Sequence, residues 1–264
     1  MIKYYTRACN FYFGSYAKSL IKKKLALPLC GNSQVAFDKI ELISRKNNKI
    51  ISKIININSV KTLNVFHKKK VKQDLKKITS KRKNFLKNVN FSEPSIMGIL
   101  NMTPDSFSDG GKFNSYKRAK NHINDMIKSG VKIVDVGGES TRPGSKTVQV
   151  KTEWSRVGNV IKNFKKKHKN ICLSIDTRKS DIMIKAIKNK VDLINDVSGL
   201  NFDKKSFNFI NSKKIPFILH HMQGTPDIMQ KNPKYDDALL DIIDFFENKI
   251  NSCLRKGYKK EYII

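Results

Sequence analysis

Met97-Gly98-Ile99-Leu100-Asn101-Met102-Thr103-Pro104-Asp105-Ser106-Phe107-Ser108-Asp109-Gly110-Gly111 is the stretch whose reading decides the fold. A short apolar run, Ile96 to Leu100, stops abruptly in polar and turn-forming residues. A buried strand emerging into a loop has this pattern. Pro104 bars helix, and Gly110-Gly111 allows dihedrals that other residues avoid. Asn101 is therefore expected at the carboxyl end of a strand, with a polar loop beyond it. In parallel sheets, open or barrel-shaped, chemistry is done at that end.

Downstream the same unit repeats. Strands are expected at Ile96–Asn101, Lys132–Gly137, Ile171–Asp176, Val191–Val197 and Ile215–His221. Between them come helices: Ser115 to Ser129, Val150–Lys167, Lys179–Asn189, a short one near Lys204–Ser212, and Tyr235–Lys256. Glu261–Ile264 reads as the start of a sixth strand. Regular alternation implies parallel strands joined by right-handed crossovers, and the closed form of that pattern is a (β/α)₈ TIM barrel. Five βα units fall short of eight, so the expected fold is α/β with an incomplete barrel over 91–264.

Residues 1–90 do not share the rhythm. They hold 22 Lys/Arg against 3 Asp/Glu, within a chain of formal charge +31. Val35–Ser44 and Lys49–Asn58 read as a hairpin, and residues 67–88 as an exposed, weakly amphipathic helix. Residues 1–33 suggest a short ordered segment. This is an appended basic α+β region without legible chemistry. Such charge suits nucleic acid or an anionic surface. The excess is mostly Lys interleaved with Asn and Ile, with no aromatic-spaced basic stripe and no zinc-finger spacing, so nucleic acid is not the expected partner. No uninterrupted apolar run reaches the roughly 18 residues of a membrane span. Cys9, Cys30, Cys172 and Cys253 form no CxxC pair, which suits a reducing cytoplasm. The first acidic residue is Asp38, as in a transit peptide, but Arg is scarce.

Every strand exit carries unusual polar residues. They are Asn101; Asp135 followed by Gly137-Gly138-Glu139-Ser140-Thr141-Arg142-Pro143-Gly144; Asp176-Thr177-Arg178; Asn195-Asp196; and His220-His221-Met222-Gln223-Gly224. Five such exits on one rim point to a site. Asn101 offers a neutral oxygen suited to Mg²⁺ holding a substrate phosphate, although Asn at a strand end also caps turns. The Gly137–Gly144 loop could bind an anion through amides, hydroxyl and guanidinium. Asp176 beside Asn195 could grip the donor–acceptor edge of a flat heterocycle, or Asp176 could cap the next helix. Adjacent strand residues face opposite ways, so at most one of His220 and His221 would face the site.

These motifs closely resemble those of the dihydropteroate synthase family. The resemblance rests on Met97–Gly111, Asp135–Gly144, Ser174–Thr177, Ile194–Asp196, His221–Gly224 and Asn232–Asp237, and covers about 91–264. It implies a (β/α)₈ barrel that joins 6-hydroxymethyl-7,8-dihydropterin diphosphate to p-aminobenzoate, releasing diphosphate. It implies that Asn101 holds Mg²⁺, that Asp176 and Asn195 grip the pterin with Met222 beside it, and that Thr141 contacts the substrate near the diphosphate. Asp105 and Arg142 would be catalytic, lying with Ser106, Phe107 and Pro143 in two loops that close over the site and help form the p-aminobenzoate pocket. A homodimer is implied for the full-length form.

Departures are plain. The chain ends at Ile263-Ile264, before the family's Asp-Pro-Gly, Ser-Arg-Lys and Arg-x-His motifs, and His220 stands where the family often has an apolar residue. The polypeptide alone is therefore expected to be poorly folded and inactive. Two competing readings are a reduced-folate methyltransferase barrel, which the TPDSFSDGG and GGESTRPG loops fit poorly, and a barrel remnant with a basic nucleic-acid-binding extension.

Overall fold

The computed structural model describes residues 2–264 apart from 48, 82–84, 87–88, 92–93, 104–115, 143, 227 and 231. The chain divides into two units, Met1–Lys83 and Asn84–Ile264.

The first unit is an antiparallel sheet with two helices. Its elements are β1 (Lys3–Phe13), α1 (Gly14–Lys22), β2 (Leu27–Leu29), β3 (Asn32–Lys46), β4 (Lys49–Asn56), a 3₁₀ turn at Ile57–Thr62, and α2 (Val65–Thr79). The long β3 pairs with β1, β2 and β4. The expected hairpin forms with Lys46 opposite Lys49. Asn47 takes a positive φ there, which Asn tolerates better than most residues. Phe37, Ile40, Val60 and Val71 make the core. The helix expected over 67–88 ends at Thr79. Sequence reading assigned no strand to 3–13, because only Tyr5 of β1 is buried and the alternation is therefore weak.

The second unit alternates strictly: β5 (Met97–Asn101), α3 (Tyr116–Lys128), β6 (Ile133–Gly137), α4 (Val150–Lys167), β7 (Cys172–Asp176), α5 (Ser180–Lys188), β8 (Leu193–Asp196), α6 (Lys204–Lys213), β9 (Phe217–Leu219) and α7 (Ala238–Arg255). All five strands are parallel and stand in chain order. The fold is thus α/β with a parallel sheet. The expected Ser115 cap of α3 lies outside the described residues. The last strand is shorter than expected and stops at Leu219, so His220 and His221 lie in the following loop. Glu261–Ile264 opens as a 3₁₀ turn, Lys260–Tyr262, before Ile263 bridges Phe217 in parallel. Ile264 then donates its N–H to the Phe217 carbonyl at 3.0 Å and accepts from the Leu219 N–H at 2.9 Å.

Pleating sends alternate residues to opposite faces. On one face Leu100, Val134, Val136, Leu173, Ile175, Ile194, Phe217 and Leu219 are buried in the main apolar core. The amphipathic helices supply its other half through residues such as Ala119, Ile123, Val157, Ile161, Ile182, Met183 and Ile210. On the other face Ile133, Cys172 and Leu193 form a smaller cluster with Leu86 and Val89. Above that cluster this face turns polar. Among the described residues no helix is long and apolar enough to cross a membrane. All four cysteines are free.

Gly138 follows β6 where the chain crosses α4. A Cβ there would sit 2.8 Å from Val157 Cγ1 and 2.9 Å from the Glu153 carbonyl oxygen. The carbonyl belongs to a helix backbone and cannot step aside. Gly138→Ala is therefore expected to destabilise the second unit by about 1–3 kcal/mol, read as a lower denaturant midpoint. An unchanged midpoint would show that the contact relaxes freely.

Candidate functional site

Register fixes which side chains meet. Asn101 pairs with Gly137, Gly137 with Asp176, Asp176 with Asn195, and Asn195 with Ile218. These residues form one row at the carboxyl ends of the strands, all on the face opposite the helices. One pleat below lie Ile99, Asp135, Ser174 and Leu193. Gly137 leaves a gap in the row. A Cβ on it would stand 3.3 Å from Asn101 Oδ1 and 3.5 Å from Asp176 Oδ2. The two side chains thus approach each other over a position without a side chain. Ile99, on the same face, is 61% exposed, so this face is open beside the row, and the space before it is termed the hollow.

The polar groups in the hollow are under-satisfied. Asp135 Oδ1 and Ser174 Oγ are buried without a well-formed hydrogen bond among the described residues, although Ser174 stands near enough to Asp135 to favour its charged form. The other Asp135 oxygen accepts from Asn195 Nδ2 at 2.8 Å, and Asn195 Oδ1 lies 2.6 Å from His220 Nε2. Folded proteins rarely leave buried polar atoms unpaired, so such atoms beside an open hollow mark a place for a ligand or water. Burial pushes the Asp176 carboxyl well above the usual range, and the nearby negative charges of Asp135, Asp196, Glu153 and Glu139 push it the same way. Burial also raises Asp135, against the opposing influence of Ser174 and Asn195. Asp176 does not cap α5, whose N-terminal cap position is Lys179.

A second cluster sets the loop after β6. Glu139 Oε2 accepts from Arg178 Nε at 3.0 Å and Nη2 at 2.8 Å, and its Oε1 accepts from Lys179 Nζ at 2.7 Å and the Val148 N–H at 2.9 Å. Lys179 Nζ also donates to Glu153 Oε2 at 2.6 Å, and Thr177 Oγ1 to Glu153 Oε1 at 2.5 Å. Arg178 reaches Thr147 as well, at 3.2 Å, and stacks over Phe202 at 4.3 Å. The loop that carries Thr141 and Arg142 is thereby pinned at both ends. Burial would raise the Glu139 carboxyl, but Lys179, the Val148 amide and Arg178 outweigh it and hold it below the usual range.

The predicted residues fall in three groups. Asn101, Asp176 and Asn195 share the row. Thr141, half-buried, and Arg142, exposed, lie in the pinned loop, and Met222, half-buried, lies beyond β9. No hydrogen bond links these three side chains to the row among the described residues. Asp105, Ser106, Phe107 and Pro143 lie outside the described residues. Sequence reading overlooked three contributors. Asp135 carries no signal of its role beyond its strand position, although its spacing of two from Gly137 places it on the same face. Glu139 and Lys179 carry no local signal, because only the fold brings them within 2.7 Å of each other. The two adjacent histidines diverge: His220 meets Asn195, while His221 packs against Tyr235, Phe245 and Phe246. No cluster of three or more His, Cys, Asp or Glu side chains able to hold a metal occurs among the described residues.

Residues 97–264 match the pterin binding enzyme family. Dihydropteroate synthase of Escherichia coli K12 is 40% identical over 176 residues, which are 67% of this chain and 62% of that protein. That of Synechocystis is 38% identical over 169 residues, 64% of this chain and 58% of that one. Among solved structures, Yersinia pestis dihydropteroate synthase in a sulfonamide drug complex superposes with a TM-score of 0.62 at 38% identity, covering 66% of this chain and 63% of that one. Xanthomonas albilineans dihydropteroate synthase with 4-aminobenzoic acid gives 0.58 at 34% identity, covering 65% and 60%. A row of polar side chains at parallel strand ends and a matching family are thus found in one chain: it belongs to the pterin binding enzymes. It spans about three-fifths of the length of the curated relatives cited.

Two stability experiments follow from the site's electrostatics. The folded pKa of Asp176 lies above its unfolded value. Its contribution to stability is therefore fully present below the unfolded pKa and lost as pH rises through the folded one. Asp176→Asn is expected to raise the melting temperature at neutral pH, with the gain disappearing in acid, where the wild-type carboxyl is protonated. A variant less stable at neutral pH would contradict this. Lys179→Met strands Glu153, which is fully buried, and should cost about 3–5 kcal/mol in denaturant unfolding. A loss under 1 kcal/mol would show the carboxylates re-solvate.

Proposed function

We propose that this chain carries the pterin half of a dihydropteroate synthase site, which condenses 6-hydroxymethyl-7,8-dihydropterin diphosphate with p-aminobenzoate to give 7,8-dihydropteroate and diphosphate. The observation that carries the reading is the Asp176 carboxyl, without a hydrogen bond among the described residues, set beside the Asn195 amide in a single row. A pterin presents ring N–H, amino and carbonyl groups along one edge, and a carboxylate with an amide matches that edge. The five parallel strands are, in this proposal, the first part of a (β/α)₈ barrel, supported by the parallel bridge of Ile263 to Phe217 that opens a sixth position.

The chemistry divides among the residues. Asp176 and Asn195 orient the ring so that its exocyclic carbon faces the mouth. The diphosphate then lies toward Asn101 and the loop bearing Thr141 and Arg142. Asn101 Oδ1 is a hard, neutral oxygen without a hydrogen bond among the described residues, which fits Mg²⁺. Mg²⁺ when bound would neutralise charge on the departing diphosphate. The Arg142 guanidinium would add to that stabilisation. As the carbon–oxygen bond to diphosphate breaks, the dihydropterin spreads positive charge from its exocyclic carbon; the aniline nitrogen forms the new bond to that carbon and loses its proton to the departing diphosphate or to water. Met222 would pack beside the ring. Asp105, Ser106, Phe107 and Pro143 would close over the second substrate and exclude water, favouring the weak amine nucleophile. A cytoplasmic setting and a homodimer belong to the same proposal; the four free cysteines support the former.

Equilibrium binding of 6-hydroxymethylpterin diphosphate tests this directly. Asp176→Ala and Asn195→Ala are each expected to weaken it by about tenfold or more, the cost of stranding or losing a buried ligand hydrogen bond. Undiminished affinity in both variants would remove the row from the site.

A further inference from the structure

His220 is the first residue after β9 and is half-buried. Its Nε2 stands 2.6 Å from Asn195 Oδ1, and Asn195 Nδ2 stands 2.8 Å from Asp135 Oδ2. Three side chains from β6, β8 and the end of β9 therefore form one hydrogen-bonded chain. Its polarity is forced link by link. With Asp135 ionised the carboxylate only accepts, so the Asn195 nitrogen faces Asp135, as the 2.8 Å contact from Nδ2 to Oδ2 has it. The amide oxygen must then face His220. A carbonyl oxygen only accepts, so His220 must donate from Nε2, which leaves Nδ1 without the proton in the neutral ring. Burial lowers the His220 pKa and keeps the ring neutral. The backbone under the histidine is held as well. Gly199, at φ +58°, passes so close that a Cβ on it would lie 2.7 Å from the His220 carbonyl oxygen.

We propose that His220 is a positioning residue that fixes the direction of the Asn195 amide and thereby the donor–acceptor order the site shows to a bound ring. Resting on the pterin reading above, it names what orients one of the two ring-gripping groups. Asn195 has two N–H groups and two oxygen lone pairs. Asp135 takes one of the former and His220 one of the latter. One donor and one acceptor remain for the ligand, in an order the amide cannot exchange without setting its oxygen against the Asp135 carboxylate. An apolar residue at 220 would leave Asn195 anchored from one side only. The amide would then reach the ligand less ordered, and its oxygen would lose a partner.

The test uses the full 264-residue chain with ¹⁵N-labelled histidine. Long-range ¹H–¹⁵N spectra report the tautomer of each of the five histidines, and the spectrum of His220→Gln assigns His220 by the signal it lacks. The expected result is an Nε2–H tautomer whose hydrogen-bonded proton signal is lost in Asn195→Ala. Calorimetric binding of 6-hydroxymethylpterin is measured alongside. His220→Leu should weaken it about tenfold, the scale of one lost hydrogen bond with a stranded partner. His220→Gln, whose terminal amide N–H reaches the place of Nε2, should recover most of that loss, with both variants melting close to wild type. An Nδ1–H tautomer, equal weakening by Leu and Gln, or no weakening by Leu would each overturn the assignment. If the wild-type chain bound no pterin, the functional reading would fall, and the tautomer would still decide whether His220 directs the amide.

Discussion

The register of five parallel strands is the constraint on which the site depends. Because side chains alternate, one residue of slippage would turn Asn101, Asp176 and Asn195 into the helix-facing core and bring Leu100, Ile175 and Ile194 into the hollow. That exchange would bury three polar groups against apolar helices and expose three aliphatic ones. The hydrophobic effect that packs α3 to α7 on one face therefore also aims the polar row at the other. Gly137 completes the arrangement by leaving its place in the row empty, so that Asn101 and Asp176 flank a position without a side chain.

The row carries an electrostatic cost. Asp135 and Asp176 face the same hollow, and burial makes ionisation of each unfavourable. Their carboxyls have no cationic partner among the described residues, whereas the nearby Glu139 and Glu153 are paired with Arg178 and Lys179. The contrast separates two tasks. Paired buried charges hold a loop in one conformation. Buried carboxylates without a cation are, under the proposed function, the ones a ligand's donors would satisfy.

Much of this was legible in the sequence. Apolar runs ending in Asn101, Asp176 and Asn195 fixed the strand ends to within a residue or two, and α4 is found at its expected bounds, Val150–Lys167. What escaped was set by distance in the fold. Asp135 sits mid-strand, and its membership of the site depends on a cross-strand bond to Asn195 60 residues away. The apolar run places His220 within a strand, but β9 ends one residue earlier, which frees its ring to turn toward β8. In the first unit, β1 hides because its residues are mostly half-exposed and show no clean alternation. Its pairing is decided by the long β3 strand, a partner about thirty residues on.

The central claim is that residues from β6, β7 and β8 form one ring-binding surface. Carboxyl ¹³C spectra of the aspartate-labelled chain, titrated with 6-hydroxymethylpterin, test it most directly. The account predicts that the Asp135 and Asp176 signals shift together along one saturation curve, while Asp74 of the first unit stays in place. Saturable pterin binding that left both signals unmoved would contradict it.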